Sequence, residues 1–335
     1  MFHCLPNEIL DLIVTKIDNI RDMVSLSFCN KRLNFVCRNC PSIQFIHSEK
    51  DVKNIQKIRK FNKNIKIHTE VRNNTRLKSC KQFKHVYSLV LDLCNSITDI
   101  SCLKNVHSLR ITDCNEVYDV SSLGNVKNLN LCGTYNVTDV SALSRVHTLN
   151  LSYCYNITDV SMLGNAYKLI LVGCSKITDV SALSRVNTLN LSGCYRIEDF
   201  SMLGNVYDLN LSDCDIKDAS YFSRVHKLNL SYSYDLKDVS MLGNVYDLNL
   251  CHCETINDVS ALGKVHTLNL AWCINVKDVS ALGNVHSLNI IRCDVSDVSM
   301  LGNVTNLEYY IQEYESETDY ETGEESEEES EEEMY

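Results

Sequence analysis

Residues 146–165 read VHTLNLSYCYNITDVSMLGN, and the same phrase returns with small changes from residue 86 to residue 310, eleven times in all. A short fixed period points to an architecture that no single unit forms alone. Leu149 and Leu151 alternate with polar residues, as in a short strand with one face buried. Cys154, Ile157, Val160, Leu163 and Ala166 follow at a spacing of three, which suits a chain coiling around an apolar core. One coil cannot cover those residues. Stacked on its neighbours it can, and the short strands then line up as one parallel sheet. At ~4.8 Å per strand, the repeats span an arc of roughly 50 Å. Two units are one residue shorter, between Cys214 and Ile216 and between Cys293 and Val295. Both deletions fall in a loop and keep the core register.

The unit resembles leucine-rich repeats, whose pattern L-x-x-L-x-L-x-x-N/C-x-L is met by Val146, Leu149, Leu151, Cys154 and Ile157. It is most similar to the short repeats of phosphatase regulators and bacterial invasins. The resemblance implies an α/β repeat solenoid: an arc with its parallel sheet on the concave face and a return segment that is extended or 3₁₀. The near-identity of the units, with alternating D-V-S-A-L and D-V-S-M-L, is similar to repeat proteins of amoebae and of the giant viruses that infect them.

Seventeen cysteines in 335 residues could suggest a disulfide scaffold. That reading belongs to short secreted chains. Here nine of the eleven units carry Cys at one position, with Thr134 and Ser233 in the other two. The pattern describes buried packing residues that bond to neighbouring backbone. Metal sites need converging ligands, whereas these point the same way from successive coils. No metal or cofactor is expected, and the pair Cys37 and Cys40 is too isolated to be a zinc site. Glu8 and Asp11 interrupt the first apolar stretch, so no signal peptide is read there. With no long apolar run either, the expected location is cytoplasmic or nuclear, the host cytoplasm if the chain is viral.

The net charge of −11 is unevenly spread. Residues 49–85 hold twelve Lys/Arg and three acids, and residues 311–335 hold thirteen acids and no Lys or Arg. The acidic stretch is expected to be disordered, because it cannot bury enough apolar surface to offset its ordering entropy. The basic stretch lacks interleaved aromatics and is read as a solvated face, covering a linking helix and a degenerate capping repeat over 48–85.

Other columns invite chemistry. Asp recurs in every unit from Asp99 to Asp297, with Ser two residues on. The expected role is to cap a tight turn by accepting backbone N–H groups, rather than to bind calcium. Asn fills the middle of the strand in eight units, as at Asn150 and Asn249, and a stacked amide ladder is expected. His107, His147, His226, His266 and His286 precede strands and are read as surface residues. The most varied position, just before the column Cys, includes Tyr153, Tyr232, His252, Trp272 and Arg292. Consecutive aromatics with an Arg are typical binding hot spots, so these five are the candidate target-binding residues.

Residues 5–36 read LPNEILDLIVTKIDNIRDMVSLSFCNKRLNFV. Leu5, Ile9, Ile13 and Ile17 recur at helical spacing after a Pro suited to a helix start. The stretch resembles the F-box, through L-P-x-E-I-L followed by C-N-K-R, although Leu33 stands where many F-boxes have an aromatic. The resemblance implies a small helical module over 1–47 that binds a Skp-type adaptor, and through it a cullin. Leu5, Pro6, Ile9, Leu10, Ile13, Cys29, Lys31 and Leu33 are the contact residues it implies. No nucleophile–base pair or phosphate loop is present, so the expectation is a non-catalytic substrate receptor of a cullin–RING ubiquitin ligase. The alternative is an interaction scaffold without a ubiquitin link.

Overall fold

The computed structural model describes residues 42–46 and 66–310. The candidate helical module, the linking helix and the acidic stretch lie outside the described residues, apart from a strand at 42–46. Fourteen parallel strands stand in chain order in one sheet, from β1 (Ser42–Ile46) and β2 (Lys66–Arg72) to β14 (Asn306–Glu308). β1 falls within the stretch assigned to the helical module and pairs with β2 in parallel. The sheet therefore extends to the N-terminal side of the eleven matched units. Most strands are three residues long, and their central leucines pair in register, Leu149 with Leu169 and Leu169 with Leu189.

The spacing of three has a direct backbone cause. Cys154 N–H donates to Leu151 C=O (3.1 Å), and Ile157 to Cys154 (3.2 Å). Leu163 then donates to Val160 (2.9 Å), and Ala166 to Leu163 (3.0 Å). Each coil is a run of tight turns, and each closing N–H belongs to a residue whose side chain points into the core. The one regular piece of the return is a 3₁₀ turn such as Ser161–Leu163, and a full helix has no room. The strands satisfy their remaining groups on neighbouring coils, as where Leu151 N–H reaches Ile170 C=O at 2.8 Å. Buried backbone thus stays paired, but only through the stack.

The core is one continuous column of Leu, Val, Ile and Cys, most of them 0–2% exposed, from Ile67 to Leu301. Where the coil shortens, Ile216 N–H bonds to Cys214 C=O (2.7 Å) in place of the usual three-residue turn. The core refills around it with Phe200, Ala219 and Phe222, at positions where other coils carry Val, Val and Leu. Total volume is kept, which is the condition under which cores accept substitution. At the C-terminal end Cys293, Val295, Val298, Val304 and Leu307 are only partly buried.

Leu169, at the centre of β7 (Lys168–Ile170) and fully buried, gives a direct check. Leu169→Ala should lower the unfolding free energy by about 2–5 kcal/mol, read as a fall in urea midpoint. Hydrogen exchange should rise first in the coils on either side, because each coil is held by its neighbours.

Candidate functional site

Three of the repeated columns bond to the backbone of the coils. In seven coils the Cys thiol donates to the C=O of a leucine in the preceding coil at 3.0–3.2 Å, as Cys154 does to Leu131 and Cys273 to Leu250. Burial pushes these thiols up, Cys154 and Cys194 to about 11 and Cys253 to about 12. They stay protonated donors. Among the described residues no group of His, Cys, Asp and Glu is arranged to hold a metal ion, and the cysteines are unbridged. Ser233, which stands in for Cys, has a buried hydroxyl with no hydrogen-bond partner. Its C–O bond is shorter than C–S, and the hydroxyl stops short of what a thiol reaches.

Every column Asp accepts the backbone N–H of the Ser two residues on, at 2.8–2.9 Å from Asp99–Ser101 to Asp297–Ser299. The oxygen that secures the 3₁₀ turn thus comes from the residue before its formal cap, which is an apolar Val in most coils. For Asp139, Asp159 and Asp199 the Ser hydroxyl, then the Ser N–H, hold the carboxyl below its usual range.

The Asn column departs from expectation. Asn150 Oδ1 accepts the N–H of Ser152 (2.8 Å), and Asn249 Oδ1 that of Cys251 (3.0 Å). The same bond to residue i+2 recurs at Asn130, Asn190, Asn210, Asn229, Asn269 and Asn289. These are Asx turns that end eight of the strands. The carbonyl needed for a stacked amide ladder is spent locally, because Asn bonds most readily to backbone two residues away.

The varied column is the structurally special one. From Asn73 through Leu93, Asp113, Gly133, Tyr153, Gly173, Gly193, Asp213, Tyr232, His252 and Trp272 to Arg292, every member has φ between +51° and +71°. This is the left-handed region, free to glycine and costly to others, on the order of 1–3 kcal/mol each. The sequence held a signal for it. Gly, Asp and Asn, the residues that visit this region most readily, share the column with the large ones.

The five candidate residues do not form one group. Tyr153 packs over Gly173, where a Cβ would lie 2.9 Å from its ring. It meets Tyr155 edge-on (6.2 Å), and Tyr155 stacks on Tyr135 (5.6 Å). Gly173, Gly193 and Asp213 then interrupt the column. Beyond them Tyr232 stacks on His252 (4.8 Å, 13°) and His252 on Trp272 (5.0 Å, 12°), with the Arg292 guanidinium 5.4 Å from the indole. Tyr232 and Trp272 stay 43% and 42% exposed, although large aromatics usually bury most of their surface. Beside Trp272 and Arg292 is an open recess of about 550 Å³, also lined by Ile274, Cys293, Asp294 and Tyr310. A larger recess of about 750 Å³ at the shortened coil holds Lys217, whose charge is taken up by Asp215 (3.1 Å) and Asp235 (3.7 Å).

A second ladder borders the other side of the strands. Tyr207, His226, Tyr246, His266 and His286 stack in unbroken order at 4.5–4.8 Å, with shorter pieces at Tyr87–His107 and His147–Tyr167. Reading the histidines singly as surface residues missed this. The signal was that Tyr fills the same slot in four of the six units that lack His, with Lys127 and Asn187 in the other two.

The fold is that of a leucine-rich-repeat solenoid. No family model and no curated protein matches the chain. Among solved structures it is similar to an internalin, InlF, of Listeria monocytogenes, at 20% identity over 68% of this chain and 81% of that one, with a TM-score of 0.47. The functional domain of InlJ from the same organism, described as including a cysteine ladder, matches at 17% identity over 88% and 78%, TM-score 0.47. A leucine-rich-repeat protein of Leptospira interrogans matches at 13% over 91% and 98%, TM-score 0.39.

Two outcomes follow. Ser233→Cys should raise the unfolding free energy by on the order of 1 kcal/mol by satisfying the column, read from urea titrations. The depressed Asp carboxyls give stability that is complete above about pH 4, the unfolded value, and is lost as pH falls through their lower folded values. Melting temperature should drop below that pH, and Asp139→Asn, Asp159→Asn and Asp199→Asn combined should flatten the drop, since Asn keeps the acceptor oxygen.

Proposed function

We propose that the chain is a non-catalytic receptor whose repeats hold a protein target along Tyr232, His252, Trp272 and Arg292, and whose residues 1–47 engage a Skp-type adaptor and through it a cullin. The observation that carries the target surface is the ladder in the left-handed column. Glycine occupies the same position at Gly133, Gly173 and Gly193 without strain. Packing of the core thus gives no reason for Tyr, His, Trp and Arg to stand in four consecutive coils, half-buried or exposed and at a conformational cost. Strain kept at an exposed aromatic cluster supports binding. Tyr153, with Tyr135 and Tyr155, forms a smaller second contact.

The adaptor half rests on Leu5, Pro6, Ile9, Leu10, Ile13, Cys29, Lys31 and Leu33, by resemblance to the F-box. Unbridged cysteines with raised thiol values suit the reducing cytoplasm or nucleus. A scaffold without a ubiquitin link is the second reading. The pairing of β1 with β2 favours it, since it ties residues 42–46 to the solenoid as a cap would be tied.

Capture of a purified Skp-type adaptor by the full-length chain, lost on Leu5→Ala with Pro6→Ala, supports the ligase reading. Absence of capture removes it and leaves the scaffold. For the target surface, Trp272→Gly and His252→Gly put the native residue of other coils at these positions. Relief of strain offsets the lost stacking, about 0.5–1.5 kcal/mol per pair, so melting temperature should hold while captured proteins are lost. Unchanged capture would sink the ladder as the target surface.

A further inference from the structure

The recess beside Trp272 has an apolar wall and an unspent positive charge. Ile274 and Tyr310 are 47% and 70% exposed. Asp294, the one acid among the described residues that line the recess, is held by Lys277 at 3.1 Å. Arg292 makes neither a hydrogen bond nor an ion pair among the described residues. Its guanidinium lies over the Trp272 ring (5.4 Å), and a guanidinium held over a ring can still offer an N–H edge. That edge suits a carboxylate, gripped by two parallel N–H bonds. The recess therefore selects an aromatic side chain next to a carboxylate.

Tyr310 lines the recess, and the next residue begins the acidic stretch: IQEYESETDYETGEESEEESEEEMY over 311–335, with thirteen acids and no Lys or Arg. Its first half carries the matching unit twice, Glu313-Tyr314-Glu315 and Asp319-Tyr320-Glu321. Four or five extended residues reach about 13–18 Å, so the first unit can turn back onto the wall from which it departs. A tether this short gives a millimolar effective concentration.

We propose that this acidic stretch docks through a tyrosine–carboxylate unit in the recess of Trp272, Ile274, Arg292 and Tyr310, and covers the end of the aromatic ladder in the free protein. The tyrosine ring packs on Ile274 and the edge of the Trp272 indole, whose faces are taken by His252 and Arg292, and the neighbouring carboxylate meets Arg292. Docking itself does not depend on the ladder being a target surface. The consequence does: a target that uses the ladder must displace the chain's own segment, so binding is held in check until a stronger partner arrives.

Trp272 is the protein's single tryptophan, so its fluorescence reports the recess directly in the full-length chain, with no target present. A variant with Glu313→Gln, Tyr314→Ala, Glu315→Gln, Asp319→Asn, Tyr320→Ala and Glu321→Gln should keep its circular dichroism and melting temperature. Its emission should shift red, and its acrylamide quenching constant should rise about twofold as the tethered segment leaves. Salt at roughly 0.5 M should move the wild type toward the variant, because the carboxylate–Arg292 contact is screened. A synthetic peptide of residues 311–325 should restore protection to the variant, but not to a variant that also carries Arg292→Glu. Equal quenching of wild type and variant overturns the proposal. So does protection that grows with protein concentration, which would place the segment on a second copy. Loss of target capture with tail docking intact, or the reverse, separates this inference from the reading of the ladder.

Discussion

Each coil closes on itself with N–H···O=C bonds across three residues, and the donor of each bond carries a side chain that no coil can bury alone. Leu151, Cys154 and Ile157 form one such chain of turns, Val160, Leu163 and Ala166 another. The same residues that fix the backbone thus supply the apolar surface, and that surface disappears from water only when the next coil is stacked on it. The parallel sheet, the 3₁₀ turns and the continuous core all follow from this coupling. It also explains why the chain tolerates a one-residue deletion at Cys214–Ile216: the turn is lost, but a neighbouring Phe refills the volume.

Stacking at a fixed rise turns every sequence position into a column, and the columns divide by what their neighbours ask of them. The thiol column is buried and must donate to a leucine carbonyl. The Asp and Asn columns are at the surface, yet each serves a backbone N–H two residues on. Each of these columns thus has a bond to make within the fold. The left-handed column is different. Its backbone needs only the positive φ that glycine supplies at no cost, and its side chains stand outside the core. Large residues there are an expense that the fold does not require, and in coils from Tyr232 to Arg292 they meet one another face to face. Recognition can be built at such a position without disturbing the core.

The aromatic ladders show how far a linear reading goes. Tyr232, His252, Trp272 and Arg292 were visible as four consecutive members of one varied position. Their grouping was legible, and Tyr153 was drawn in by the same criterion. That Tyr153 stands apart, and that Tyr207 to His286 form a second wall, depends on which rings face each other across coils. The Asn column misled for a related reason. Its period suggested a bond to the next coil, whereas an Asn side chain finds its own backbone first.

Period, strand position, core residues, thiol role and Asp turn could all be read from the order of residues, because each depends on spacings within one unit. The partners of each ring, the orphaned hydroxyl of Ser233 and the recess beside Trp272 were decided only when coils were set against coils. Those features arise from contacts about twenty residues apart, where register and the shape of the neighbouring side chain determine the outcome, and no single unit contains that information.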